Sequence, residues 1–227
     1  MLPSLWEAVS GRLDVDWAIR DEHGAYVSFT PEMEKCWRWK DELPDKGLAC
    51  VGKHLGRWSA LVAPRLVPTL YALTGRRGAP DDFREAELSP LQREVAEAVL
   101  EAGPATGPEL RTLLGADKKQ VDAAVLVLQR AFVLTNSGLV EQKQGWGAIA
   151  VDLLARRFRL SALPDESDAR RHLAATVLAS CGELSAADLG GALGWRIKRS
   201  RETLDELVDG GGARRREEAG IVLWSAS

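Results

Sequence analysis

The chain is most easily approached through what it lacks. No apolar run approaches the roughly 20 residues that a membrane-spanning helix needs. The opening MLPSLWEAVSGRLD has no basic stretch leading into an apolar core, so no secretion signal is read. Cysteine is scarce: Cys36, Cys50 and Cys181 are odd in number, far apart and without CxxC spacing. That argues against a disulfide framework and a zinc site and favours a reducing cytoplasm. His23, His54 and His172 are isolated, and HExxH, P-loop and GxSxG patterns are missing. Gly52-Lys-His-Leu-Gly-Arg57 is phosphate-friendly in composition but lacks a recognised glycine spacing. No cofactor, no metal and no catalytic residue is therefore nominated. An excess of one charge is lacking too. The chain carries 30 basic and 33 acidic side chains, a net charge of −3, and no segment is strongly basic. Any contact with nucleic acid must come from local patches, weak and salt-sensitive unless a homodimer doubles them.

What is present is a periodic pattern that occurs twice. Ser89-Pro-Leu-Gln92 is a capping box with proline at the first helical position, and Leu91, Val95, Ala98 and Val99 form the inner face of the helix it starts. Gly103-Pro104 ends it. Thr106-Gly-Pro-Glu109 is a second capping box, opening a short helix that packs through Leu110, Leu113 and Leu114. After Gly115, Asp117 caps a third helix with Val121, Ala124, Val125 and Leu128 inward. Short β runs around Asn136-Ser-Gly138 read as a hairpin. Gly145-Trp-Gly147 is then followed by an expected helix through Leu153 and Leu154 to Phe158. The pattern returns about 79 residues later: Ser185 stands for Thr106, Leu189 for Leu110, Leu193-Gly194 for Leu114-Gly115, and Trp224 falls near the place of Trp146. Three helices followed by a hairpin is the winged helix-turn-helix order.

The expected fold is mainly α with short β-hairpins (α+β), built of tandem winged helix-turn-helix modules. Residues 88–160 form the first and 167–227 the second, with a joint at 161–166 and a linker at 76–87 rich in glycine, proline and charge. Residues 1–75 hold five of the eight tryptophans and read as a small α+β unit, an eroded winged helix being the alternative. Within it Ala25–Phe29 favours a strand. Thr30-Pro31 starts a helix that Leu43-Pro44 should end, and Pro64 opens another.

Three patches could recognise nucleic acid. In the second module Arg196, Lys198, Arg199 and Arg201 crowd the start of the third helix, with Ile197, Leu204, Leu207 and Val208 assigned to the core. The predicted wing carries Arg214, Arg215 and Arg216. A basic first half turning acidic at Glu202 and Glu206 suits a helix that enters the major groove by its N-terminal end. A merely solvated helix face is the plain alternative. The first module offers the thinner set Lys118, Lys119 and Gln120, with wing residues Gln142, Lys143 and Gln144. Trp37 and Trp39 lie two apart on a helix and so face nearly opposite directions. One of them could stack on a base, and packing on two surfaces is the plain alternative.

Leu126-Val-Leu-Gln-Arg-Ala-Phe-Val-Leu-Thr-Asn-Ser-Gly138, Gly145-Trp-Gly147 and Trp37-Arg-Trp-Lys-Asp-Glu-Leu-Pro44 resemble the AlkZ-related group of bacterial winged-helix proteins, allied to the AlkZ and YcaQ DNA glycosylases that excise alkylated or crosslinked bases. The resemblance implies tandem winged helices around a DNA-binding concavity and a role in DNA repair. Two departures bear on activity. The chain is shorter than the full enzymes. Its Gln142-Lys143-Gln144 has lysine where the family's water-positioning motif has an aliphatic residue, so no catalytic role is carried over to it. The expectation is a cytoplasmic, duplex-DNA-binding protein without a membrane partner. Base excision and a protein-interaction role are the alternatives.

Overall fold

The computed structural model describes residues 4–12, 14, 17–56, 58–141, 147–218 and 220–227. The fold is α+β, with small antiparallel sheets set among helices. The N-terminal region comprises α1 (Leu5–Ser10), the hairpin β1 (Ala18–Arg20) and β2 (Tyr26–Phe29), α2 (Pro31–Asp45), the strands β3 (Cys50–Gly52) and β4 (Ala60–Val62), and α3 (Val67–Ala72). Then come α4 (Pro90–Ala102), β5 (Ala105–Thr106), α5 (Gly107–Leu114), α6 (Lys118–Arg130), β6 (Leu134–Val140), β7 (Ala148–Leu153) and the single turn α7 (Leu154–Arg157). The last unit is α8 (Glu166–Cys181), β8 (Glu183–Leu184), α9 (Ala186–Leu193), α10 (Ile197–Asp209), β9 (Ala213–Glu218) and β10 (Ile221–Ala226).

The expected helix starts are present because the capping chemistry is local. Ser89 Oγ accepts from the Gln92 amide while the Gln92 side chain returns to the Ser89 amide, and Thr106–Glu109, Asp117–Gln120 and Ser185–Asp188 do the same. Gly115 and Gly194 sit in the left-handed region at φ 61° and 71°, ending α5 and α9 with the same backbone conformation. The two units also share a pairing scheme. The short strand before the middle helix lies on the last strand, β5 on β7 and β8 on β10, and the last strand pairs with the one before it.

Four expectations give way. Ala148–Leu153 is strand, not helix. It lies between β6 and β5 in the order β4-β3-β6-β7-β5, and its last four residues are buried. A central strand reads as a continuous apolar run, which periodicity alone cannot separate from a helix. Asn136-Ser-Gly138 is not the hairpin turn. It is a bulge inside β6, where the register against β7 shifts and Gly138 takes φ 138°. A Cβ at Gly138 would meet Asp45 Oδ1 at 2.9 Å, so the glycine also lets the end of α2 approach the strand. Helix α2 runs through Pro44 to Asp45, and Arg157 donates to the carbonyls of both residues, satisfying acceptors that a helix end leaves without intrahelical partners. Leu113 and Ile197 are exposed, not core.

Two cores result. One lies within the first unit, on Val95, Val99, Leu110, Val121, Leu128 and Leu153. The other joins Cys50, Val67, Leu70 and Tyr71 of the N-terminal region to Leu154 and Phe158, and to Leu173, Leu189, Leu204 and Trp224 of the last unit. Two buried polar knots tie the parts together. Asp82 accepts from Tyr71 Oη (2.6 Å), Arg76 Nη1 (3.0 Å) and the Gly78 amide (2.7 Å), and Arg76 also donates to the Ala131 carbonyl. His54 Nδ1 lies 2.7 Å from the Gln129 carbonyl, its Nε2 3.4 Å from Cys50 Sγ, and Gln129 bonds the Lys53 amide and the Asn136 side chain. No described helix is long and apolar enough to cross a membrane.

Candidate nucleic-acid interface

Helix α10 turns a polar stripe inward. Ser200, Thr203, Leu204 and Leu207 are buried at helical spacing, and Trp224 Nε1 donates to Asp205 Oδ1 (3.2 Å). Ile197 is therefore displaced from the core and is 56% exposed beside Arg196, Lys198 and Arg199. The start of this helix differs from that of α6 in a way that matters electrostatically. Asp117 places a carboxylate over the first amides of α6, and Gln120 is spent on the same box. Arg196 stands at the cap of α10 and makes no side-chain cap bond. The first amides of α10, the positive end of the helix dipole and the neighbouring cations thus point the same way.

Ion pairing sorts the nominated cations. Lys198 lies 3.9 Å from Glu202, a long contact between two exposed side chains. Among the described residues Arg196, Arg199, Arg201 and Arg214 make no ion pair. Arg216 is engaged: it holds Glu183 through two bonds of 2.5 and 2.6 Å and also reaches Glu218. These bonds keep the Glu183 carboxyl below the usual range. Arg215 lies over the Trp224 ring, 5.9 Å from its centroid. In the first unit Lys118 pairs with Asp122 at 2.8 Å, and exposed Lys119 has no ion pair among the described residues. Gln142 and Gln144 lie outside the described residues. Trp37 and Trp39 are both partly exposed, and Trp37 packs on Phe29.

Two features went unread in the sequence. An open cleft of about 560 Å³ lies where the units meet, lined by Arg77, Arg156, Arg157, Arg159, Phe158 and Leu160 among others. Three of its arginines hold the structure together. Arg77 pairs with Glu85, Arg156 with Asp152 and the carbonyls of Val99 and Leu100, and Arg157 with the end of α2. Arg159 is exposed and makes no ion pair among the described residues. The signal for this cleft is the run Arg156-Arg-Phe-Arg159, three cations around one aromatic ring. The second unread feature is the meeting of Cys50 with His54. Burial pushes the Cys50 thiol up to about 11 and holds the His54 imidazole below its usual value. A protonated, buried thiol is a poor nucleophile, so this knot is structural.

These features can be set beside known proteins. No curated protein matches the chain. Among solved structures, the DNA glycosylase AlkZ of Streptomyces sahachiroi is similar in fold, with a TM-score of 0.56 at 18% identity over 88% of this chain. The chain spans 57% of the length of that protein. A profile of the family described as AlkZ related matches residues 16–192, well over half of the sequence. The chain belongs to the AlkZ-related family.

Proposed function

We propose that the chain binds duplex DNA in a repair context, through two winged helices of which the second supplies most of the contact. The observation that carries this reading is the start of α10, where a helix without a side-chain cap is surrounded by Arg196, Lys198, Arg199 and Arg201. The repeated helix, strand and hairpin order supports reading both units as winged helices. In that reading α10 enters the major groove by its N-terminal end and Arg214 on β9 meets the backbone beside it. The DNA glycosylase among its structural relatives, together with family membership, supports the repair context. We place the protein in the cytoplasm, with its cysteines reduced and no cofactor. A homodimer would double the basic patch. Titration of a labelled duplex against the full chain over a salt series tests the reading: affinity should fall steeply as salt rises, and affinity independent of salt would overturn it.

Base excision is the second reading, favoured by the likeness to a glycosylase. Incubation of the purified chain with alkylated duplex DNA should then release free base. Intact binding with no release from several lesion types leaves the first reading standing alone.

A further inference from the structure

Four aromatic rings form a connected cluster on the outside of the N-terminal region. Trp17 stacks on Tyr26 with centroids 5.8 Å apart and planes 29° from parallel. Tyr26 meets Phe29 edge-on at 5.9 Å, and Phe29 packs against Trp37 of α2 at 5.8 Å. The strand register explains the grouping. Ala18 pairs with Phe29 and Arg20 with Tyr26 across a bulge, which brings Trp17, just before β1, over the rings of β2. A two-stranded hairpin alone is marginal in water, and part of this aromatic surface serves to hold it against α2. More is left open than that task requires: Trp17, Tyr26 and Trp37 are 41%, 51% and 46% exposed. Large rings held half in water on a protein surface mark a contact site.

The charges around the cluster indicate what it contacts. Arg20 lies 5.7 Å from the Trp17 centroid, and Lys40 Nζ lies 4.4 Å from the Trp37 centroid while paired with Asp41 at 2.5 Å, so Arg20 brings positive charge to one end of the row and an ion pair stands at the other. Asp21 of the hairpin turn accepts from the amides of His23 and Ala25 through Oδ1. Exposed ring faces with the Arg20 guanidinium at one end complement a strand of unpaired nucleotides, whose bases stack on π faces and whose phosphates meet a cation. A purely apolar partner would have no use for the flanking guanidinium. We infer that Trp17, Tyr26, Phe29 and Trp37, with Arg20, form a stacking platform for unpaired bases of single-stranded nucleic acid. Trp39, two residues along α2, is not part of this cluster. The platform uses no residue of α10 or of the wing, so it stands or falls apart from the duplex reading.

The test is binding of a labelled oligothymidylate, which does not self-pair, by the full chain at low salt. Saturable binding is expected. Trp17→Ala and Tyr26→Ala should each weaken it by roughly fivefold to a hundredfold, as loss of one stacked base does. Tyr26→Phe should restore it, and duplex binding should stay unchanged in all three. Changing Arg196, Lys198 and Arg199 to alanine should lower duplex affinity without matching loss on oligothymidylate. The inference is overturned if the wild-type chain does not bind the oligonucleotide, or if folded alanine variants bind it as well as wild type does. It is also overturned if Trp17→Ala merely splits a dimer in sedimentation while oligonucleotide affinity is retained, for the rings then serve contact between copies. Arg20→Glu leaves every ring in place and decides the matter where the alanine variants unfold: unchanged affinity there refutes the platform.

Discussion

Replacing Arg196, Lys198 and Arg199 together by alanine is the sharpest probe of the α10 interface, because the three residues differ in how free they are. Arg196 and Arg199 make no ion pair among the described residues, while Lys198 shares its charge with Glu202 across 3.9 Å. An exposed pair at that distance is weak, so Lys198 counts as something between nothing and one full phosphate contact. Each phosphate contact on duplex DNA contributes about 0.9 to the slope of log affinity against log salt, so the triple change should flatten the slope by roughly 1.8 to 2.7. Between about 50 and 200 mM salt, a fourfold change, the gap between wild type and variant should then narrow by roughly 12-fold to 40-fold. Fluorescence anisotropy of a short labelled duplex at four or five salt concentrations measures this directly. Strand β9 supplies an internal comparison. Arg214→Ala should flatten the slope by about 0.9. Arg216→Ala should leave it nearly unchanged, because Glu183 and Glu218 already occupy that guanidinium. Parallel slopes for wild type and the triple variant, with folding intact by circular dichroism, would refute the assignment. Equal effects of Arg214→Ala and Arg216→Ala would refute the use of ion pairing to rank the cations.

Two further predictions concern the knots that hold the parts in register. Asp82→Asn keeps the shape of the side chain but leaves Arg76 charged and unpaired where both partners are almost fully buried. It should cost about 3–5 kcal/mol, against roughly 1 kcal/mol for Tyr71→Phe, which removes one hydrogen bond; equal losses in urea denaturation would show that the charge is not what matters. His54 predicts an acid-side weakness. Burial holds its pKa below the ordinary value, so the unfolded chain takes up a proton that the folded chain refuses. Its neutral form carries no penalty above about pH 6.5, and below that stability should fall by up to about 1.4 kcal/mol per pH unit until the folded-state imidazole itself titrates. Denaturation midpoints for wild type and His54→Gln at pH 7.5, 6 and 5 check the sign, and identical pH trends in the two proteins would show that His54 is not responsible.

Legibility in the sequence followed how local the cause is. Capping boxes at Ser89, Thr106, Asp117 and Ser185 depend on side chains three residues apart; the first two are read as boxes from spacing, Asp117 as a cap, and Ser185 through its match to Thr106. The strand at Ala148–Leu153 is not legible in this way, because its apolar run owes its state to β5 and β6 on either side. Asn136-Ser-Gly138 looked like a turn because its composition suits both a turn and a bulge, and only the pairing with Val151 and Ala150 distinguishes them. Ile197 was assigned inward on hydrophobicity, but Ser200 and Thr203 fill the stripe facing the core and leave it outside. In the candidate interface the basic residues were legible and their availability was not. That Arg216 is held by Glu183, 33 residues away in sequence, could be known only from the pairing of β8 and β9 with β10.

That dependence bears on how a duplicated scaffold comes to act unequally. Both units repeat the capping box of the middle helix, the left-handed glycine that ends it and the strand order, and they differ at the start of the third helix. At the start of α6 an aspartate neutralises the helix end and a glutamine closes the box; at the start of α10 an arginine stands where the aspartate would be. The exchange replaces a negative group by a positive one at the position where a helix dipole acts most strongly, and it frees the first amides for an outside anion. The two basic patches should therefore differ in anion affinity by more than their charge count implies. Arg196→Asp makes α10 like α6 in this respect. If the cap position decides which unit holds DNA, that single change should weaken duplex binding more than Arg201→Asp does, although both alter the net charge by the same amount. Equal losses from the two would mean that charge alone, and not the helix end, carries the contact.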